Sequence, residues 1–335
     1  MISERIIRQV FECLRIIPNE KIILIYDHSS EFLFKSLFDQ LKKYDVTVFN
    51  LDSYNRPLKE VPKDILKSIK GKDLCFYFID KKCDKHGDEV VFRKSLNKIL
   101  EEEDVRIGNM LSINQQVIKS AFGCDVKKIK KFTEILFDYM KSVSKVKVTS
   151  AEGTDVIFEF DKSYKWCMST GFIEKLKARN VMPAEIYTYP ANVNGKIVIT
   201  GTYSYLTNLL EFSKYKNSLE KTPITWNIKN GKILKVFCDN KKIENKVKKQ
   251  VFEIENGNRI GEYGMGTNTG IKNCLGIMMH DEKYPGVHVA HGHGYSERTG
   301  AKYFSDIHFD GVILRPTIIN LDTNKLIMKT GKYKI

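Results

Sequence analysis

The sequence predicts a two-domain protein of mixed α/β and α+β class, with a parallel α/β domain over residues 1–144 and a β-rich domain over residues 145–335. The chain of 335 residues is longer than one hydrophobic core usually organises, so two domains are expected. Short apolar runs alternate with helical patterns in the first part, which is typical of a parallel sheet covered by helices. From Val146 onward, a series of β-like runs replaces this alternation.

The predicted N-terminal domain begins with a helix at residues 3–17, where Ile6, Val10 and Leu14 recur at helical spacing. Its other predicted elements are strands at residues 21–27, 46–51 and 74–80, a helix at 31–43 and part of a helix at 65–69. The strand runs are apolar throughout, as buried parallel strands are. Asp27 and His28 follow the first strand without a glycine-rich nucleotide motif, so they predict a turn and a helix cap.

A helix at Val126–Met140 precedes the change to β-like sequence. Strands are then predicted at residues 146–150, 155–160, 186–189, 196–200, 224–228 and 233–237, followed by a helix at 245–252. Asn194–Gly195 and Asn230–Gly231 are Asn–Gly pairs, which favour the tight turns of β-hairpins. The second domain is therefore predicted to be mainly antiparallel.

Composition excludes several classes of protein. The net charge is +14, but the lysines are scattered along the chain, which favours solvated helix faces over a nucleic-acid surface. Seven cysteines without a CxxC pair predict neither a disulfide framework nor a thiolate zinc site. No run of ~20 apolar residues predicts a membrane span. The N-terminal residues lack the features of a signal peptide, so we expect a cytoplasmic protein.

Residues 261–311 concentrate groups that bind divalent metals. Five of the seven histidines lie there, namely His280, His288, His291, His293 and His308, together with the carboxylates Glu262, Asp281, Glu282, Asp306 and Asp310. Imidazoles mixed with carboxylates, without cysteine, suit Zn²⁺, Co²⁺ or Mn²⁺ rather than a closed structural zinc site. His308 and Asp310 are two residues apart in a β-like run, which puts both on one face of a strand. The glycines of YGMGTNTG predict a backbone turn beside the metals.

Four segments in order strengthen this interpretation. They are VMPAEIYTYPANVNGKIVITG (residues 181–201), IGEYGMGTN (260–268), DEKYPGVHVAHGHGYSE (281–297) and SDIHFDG (305–311). Together they resemble the aminopeptidase T and aminopeptidase S family of dinuclear metallo-aminopeptidases. The resemblance is strong over most of residues 145–320, whereas the N-terminal half is compatible in pattern only.

The resemblance implies a catalytic centre of two divalent ions, Zn²⁺, Co²⁺ or Mn²⁺. The metal ligands that it implies are Glu185, Glu262, Glu282, His288, His308 and Asp310. Glu262 would lie between the ions and act as the general base, and Tyr295 would hydrogen-bond the tetrahedral intermediate. Glu282 is one residue farther from His288 than the corresponding carboxylate is in that family. His291 and His293 are expected to support or line the site, and His280 to be structural.

The resemblance therefore predicts an aminopeptidase that forms a homodimer and acts on peptides. Composition adds the expectation of a cytoplasmic protein with neither nucleic-acid nor membrane partners. Arg298 and Lys302 are candidates for contact with a substrate carboxylate. Two alternatives stay open. A ring-cleaving dioxygenase would hold one Fe(II) on His288 or a neighbouring residue together with His308 and Asp310. A non-catalytic binding protein would use the same scaffold without chemistry.

Overall fold

The computed structural model describes residues 2–55, 58, 60–79, 89–173, 179–204 and 219–335. It divides into two compact units, Met1–Lys127 with Ser169–Pro183, and Lys128–Met168 with Ala184–Ile335. The division falls inside the helix Val126–Met140, and the predicted domain boundary at residues 144/145 stays a prediction. Asp80, the predicted end of the third strand, and Cys83 lie outside the described residues.

Helices and strands alternate in the first unit, whereas most elements of the second unit are strands. The α-helices are Glu4–Leu14, Glu31–Leu41, Lys63–Ile69, Glu89–Glu102, Gln115–Ala121, Val126–Met140, Lys241–Phe252, Met278–Asp281 and Ser296–Thr299. The strands up to the middle of the chain are β1 Lys21–Tyr26, β2 Asp45–Asn50, β3 Leu74–Ile79, β4 Arg106–Leu111, β5 Lys145–Thr149, β6 Asp155–Glu159, β7 Cys167–Ser169, β8 Arg179–Asn180 and β9 Glu185–Thr188. The others are β10 Asn192–Ile199, β11 Ile224–Lys229, β12 Lys232–Phe237, β13 Ile260–Gly266, β14 Gly286–Gly292, β15 His308–Ile313, β16 Thr317–Asn320, β17 Lys325–Lys329 and β18 Lys332–Tyr333.

The first unit is the predicted parallel α/β fold. Its sheet has the strand order β2-β1-β3-β4-β8 with parallel pairing throughout. Every residue of β3 is buried, which explains why its sequence is apolar without alternation. The predicted cap is confirmed, because the Asp27 carboxylate accepts a hydrogen bond from the Ser30 backbone N–H at 3.1 Å.

The second unit contains two sheets around one apolar core. An eight-stranded sheet runs β12-β11-β10-β6-β5-β16-β17-β18, and a five-stranded sheet runs β15-β14-β13-β9-β7. This core contains Val148 and Phe158 of the eight-stranded sheet and Tyr263, Met265 and Val289 of the five-stranded sheet. Alternate residues of β13 and β14 therefore point away from this core, and these positions carry the polar groups.

The two Asn–Gly pairs have different outcomes. Asn230–Gly231 joins β11 to β12 with positive φ at both residues, so that hairpin prediction is confirmed. The prediction for Asn194–Gly195 is wrong, because both residues lie inside β10. A Cβ on Gly195 would be 2.3 Å from the Asp155 carbonyl oxygen, so glycine there permits close approach of β6 rather than a turn.

No helix within the described residues is both long enough and apolar enough to cross a membrane.

Candidate metal centre

One face of the five-stranded sheet carries most of the predicted ligands. Glu262 and Asp310 both lie opposite Ala290, so they share a row across β13, β14 and β15. His288 pairs with Gly264, in the next row along the sheet. Residues directly opposite on neighbouring strands point to the same face. Glu185 pairs with Gly266 and His308 with Gly292, which adds both side chains to that face.

Glycines in β13 make room for these groups. A Cβ on Gly264 would lie 1.9 Å from His288 Nε2, and a Cβ on Gly266 would lie 2.0 Å from the Tyr284 carbonyl oxygen. Gly270 lies in a turn after the strand, as predicted, but the prediction is wrong for Gly264 and Gly266, which are strand residues. Their lack of a side chain lets the imidazole and the following loop lie directly against the strand.

The side chains on this face form a compact cluster of potential ligand atoms. His288 Nε2 is 3.1 Å from Glu262 Oε1 and 3.6 Å from Glu185 Oε2. His308 Nε2 is 3.5 Å from Asp310 Oδ1 and 3.8 Å from Glu262 Oε2. Ligand atoms of Glu262, His288 and Asp310 all lie within 4.8 Å of one another, and this is the one such group found in the described parts of the chain.

An unsatisfied carboxylate oxygen supports a cation at this cluster. Asp310 Oδ1 is buried and has no hydrogen-bond partner among the described residues. A buried carboxylate oxygen without a donor is costly unless a cation compensates it. The residue types and their spacing therefore fit one divalent ion coordinated by nitrogen and oxygen.

Protons on the two imidazoles balance the carboxylates when no ion is bound. Burial opposes a charge on His288, but its hydrogen bond with Glu262 and the charge of Glu185 raise its pKa to about 9. Burial also opposes a charge on His308, yet Asp310 raises its pKa to about 10. Burial alone would raise the pKa of Asp310, but the charge of His308 lowers it to about 2. A divalent ion would replace these protons, so binding should release them.

The backbone orients His308 toward the cluster. Its Nδ1–H donates to the His293 carbonyl oxygen at 2.7 Å, which leaves Nε2 facing the carboxylates. Such a bond to the second ring nitrogen fixes the orientation of a metal-binding imidazole. His293 therefore acts through its carbonyl group, and its Nδ1 accepts a hydrogen bond from the Tyr295 N–H at 3.0 Å.

Tyr295 lies beside this cluster in a strained conformation. Its φ of 50° is in the left-handed region, where a bulky residue is rare, and its ring centroid is 4.4 Å from that of His308. Burial raises the pKa of its hydroxyl well above the usual value, so it is a neutral donor. Tyr187 lies 6.2 Å away between ring centroids, and its hydroxyl accepts a hydrogen bond from Arg298.

The other two histidines have structural partners. His291 Nδ1–H donates to the Gly257 carbonyl oxygen at 2.6 Å, so its Nε2 accepts from the Tyr203 hydroxyl, also at 2.6 Å. Burial lowers the pKa of His291 to about 4, which keeps it neutral. His280 is fully buried and its Nδ1 is 2.7 Å from the Asp281 carboxylate.

Glu185 and Glu282 have a partner that the sequence did not indicate. Lys283 Nζ lies between them, 2.5 Å from Glu185 Oε1 and 2.6 Å from Glu282 Oε1. Burial would lower the pKa of Lys283, but the two carboxylates raise it well above its usual value. Neither Lys283 nor Tyr187 was among the predicted site residues. Lysine is almost never buried, and the DEK run gives no sign that this one is.

Comparisons with known proteins agree with the motifs. A family model described as thermophilic metalloprotease (M29) matches residues 125–311, which is more than half of the chain, so the chain belongs to this family. Membership confirms the expected family and the expected enzyme class, a metallopeptidase with a divalent metal cofactor. No curated protein matches the chain.

Two solved structures share the fold. Wild-type AmpT from Thermus thermophilus aligns with a TM-score of 0.70 and 11% identity, over 99% of each chain. A 2,5-dihydroxypyridine dioxygenase from Pseudomonas putida KT2440 aligns with a TM-score of 0.68 and 15% identity, over 100% of this chain and 98% of that one. Similarity at such low identity shows the fold alone, and it confirms the predicted fold class.

Proposed function

We propose that this protein is an aminopeptidase that hydrolyses the N-terminal peptide bond of peptides with a metal-activated water. The observation that carries the proposal is the buried cluster of Glu262, His288 and Asp310, extended by His308, in a chain of a metalloprotease family. The segments that contain these residues are also the ones that resemble the metallo-aminopeptidases.

An ion held by this cluster would supply an acidic water and a positive charge that polarises the scissile carbonyl. Glu262 would accept a proton from the attacking water and pass it to the leaving amine, first as a general base and then as a general acid. Burial raises the pKa of Glu262, so it is a stronger base than an exposed carboxylate. The neutral Tyr295 hydroxyl donates to the oxyanion as it develops.

The finer features of the proposal rest on the resemblance to the same family. They are Zn²⁺, Co²⁺ or Mn²⁺ as the native metal, a homodimer and a cytoplasmic location. Metal analysis of the purified protein and light scattering at several concentrations test the metal and the dimer. The resemblance also implies a second ion with Glu185 and Glu282 as further ligands, and the same metal analysis counts the ions per chain.

The test is hydrolysis of aminoacyl-fluorophores and of matched peptides with free or acetylated N-termini, in the presence of Co²⁺, Zn²⁺ or Mn²⁺. We expect cleavage only with a free terminus, and Glu262→Gln should lower kcat by about 10²–10⁴-fold. Tyr295→Phe should lower kcat about 10–10²-fold with little change in KM. Glu253→Gln removes an exposed carboxylate of the same unit and serves as the matched control.

Three outcomes would contradict the proposal. Equal cleavage of acetylated peptides would indicate an endopeptidase, and full activity of Glu262→Gln would remove the general base. Ring cleavage of a dihydroxypyridine with one iron per chain and oxygen consumption, without peptide hydrolysis, would favour the dioxygenase alternative. That alternative is favoured only by the shared fold and by His288, His308 and Asp310 as a possible iron triad. A folded protein without metal binding or hydrolysis would favour a binding protein.

A further inference from the structure

A buried lysine occupies the part of the centre where a second ion is expected. Lys283 is 1% exposed, and its ammonium contacts one oxygen of Glu185 at 2.5 Å and one of Glu282 at 2.6 Å. Both carboxylates are ligands that the resemblance implies. The same two oxygens therefore already have a cation, and this cation is covalently part of the chain.

The backbone of Lys283 is held in place by its neighbours. The Lys283 N–H donates to the His280 carbonyl oxygen at 3.1 Å, and its own carbonyl accepts from the Asn268 N–H at 3.0 Å. Strand β13 passes directly against it, because a Cβ on Gly266 would lie 2.6 Å from the Lys283 carbonyl carbon. Withdrawal of the ammonium would also remove the positive charge that lies between two largely buried carboxylates.

Space and charge both disfavour a second ion there. A divalent ion on Glu185 and Glu282 needs their oxygens at ~2.0–2.2 Å, so it would overlap the position of the Lys283 ammonium. Two cations that close together repel strongly in a site with little water. The ammonium and a single dication together compensate three of the four negative charges in the centre, which leaves little electrostatic drive for another dication.

We propose that the Lys283 ammonium takes the place of a second metal ion, so that the centre holds one divalent ion. The side chains that hold it are those of the first cluster, Glu262, His288, His308 and Asp310. The inference rests on the metal-dependent function proposed above and departs from the two-ion centre implied by the resemblance. Glu185 and Glu282 then form ion pairs with the Lys283 ammonium and do not bind metal.

Metal stoichiometry tests the inference without reference to activity. The full-length protein is stripped by chelation, dialysed against an excess of Co²⁺, Zn²⁺ or Mn²⁺, and analysed by mass spectrometry of the metals. We expect one ion per chain for each metal. The Mn²⁺ form should show the electron paramagnetic resonance spectrum of an isolated ion, without exchange coupling. Two ions per chain, or a coupled Mn²⁺ pair, would overturn the inference.

Lys283→Gln tests the role of the ammonium directly. It frees two carboxylate oxygens, so the stoichiometry should rise from one ion toward two per chain. Lys248→Gln is the matched control, since Lys248 pairs with Glu244 Oε1 at the same 2.6 Å, and it should stay at one. A folded Lys283→Gln protein that still binds one ion would contradict the inference.

Glu185→Gln provides an independent answer if Lys283→Gln does not fold. In a one-ion centre Glu185→Gln binds as many ions as the wild type, with little loss of affinity, whereas in a two-ion centre it binds one ion fewer than the wild type. The two proposals also fail separately. One ion without peptide hydrolysis would refute the proposed function alone, and two ions with hydrolysis would refute only the inference about Lys283.

Discussion

Gly264→Ala is a change of one methyl group that should remove metal binding while the fold persists. The new Cβ would lie 1.9 Å from His288 Nε2, whereas ordinary van der Waals contact begins at 3.4 Å. The imidazole must therefore move by about 1.5 Å, and a metal site tolerates only about 0.2 Å in its ligand distances. We expect metal affinity to fall by at least ~100-fold, more than is typical for the loss of a supporting group.

The assay is titration of the chelator-stripped protein with Co²⁺, followed by absorption and by equilibrium dialysis. Gly286→Ala is the matched control at the start of β14, because its Cβ meets no atom closer than 3.2 Å. It should bind Co²⁺ as the wild type does. Circular dichroism and urea unfolding establish that both variants fold. A folded Gly264→Ala protein with affinity within about threefold of wild type would refute the assignment of His288 as a ligand.

Three further predictions concern the stability of the second unit. His291→Gln should leave the metal stoichiometry unchanged. It should destabilise the protein by ~2–4 kcal/mol in urea unfolding, because buried hydrogen bonds such as that from Tyr203 are lost. Loss of the ion in this variant would instead show that His291 is a ligand. The hydrogen bond from Lys248 holds the pKa of Glu244 at about 2, below the value in the unfolded chain. The ionised Glu244 therefore stabilises the fold at neutral pH, and this stabilisation disappears as pH falls from about 4.5 toward 2. Glu244→Gln should cost ~1–2 kcal/mol at pH 7, after allowance for screening, and almost nothing near pH 2; equal costs at both pH values would contradict this. Gly195→Ala should destabilise by ~2–4 kcal/mol in thermal unfolding, because its Cβ would meet a carbonyl oxygen at 2.3 Å, and an unchanged melting temperature would refute that contact.

Local sequence patterns predicted several strands of this protein, the shared strand face of two ligand candidates, and the family. The uniformly apolar run of β3 predicted a strand buried on both faces, and the spacing of His308 and Asp310 predicted that both lie on one face of a strand. These signals work because the side-chain period of a strand is two and because burial requires apolar residues. The motifs around Glu262 and His288 predicted the family, because the type and the spacing of the ligand residues are also local properties of the sequence.

Only the tertiary structure determined which polar groups form hydrogen bonds with each other and which carboxylates pair with which cation. Gly195 has the same Asn–Gly signature as a turn, but the neighbouring strand makes it a point of close approach. His291 has the residue type of a ligand, but Tyr203 and a backbone carbonyl occupy both of its nitrogens. Lys283 lies next to Glu282 in an ordinary charged run, and only the pairing of β9 with β13 brings Glu185, 98 residues away, into contact with its ammonium. Burial and long-range pairing depend on the whole fold, so no local pattern could carry that information.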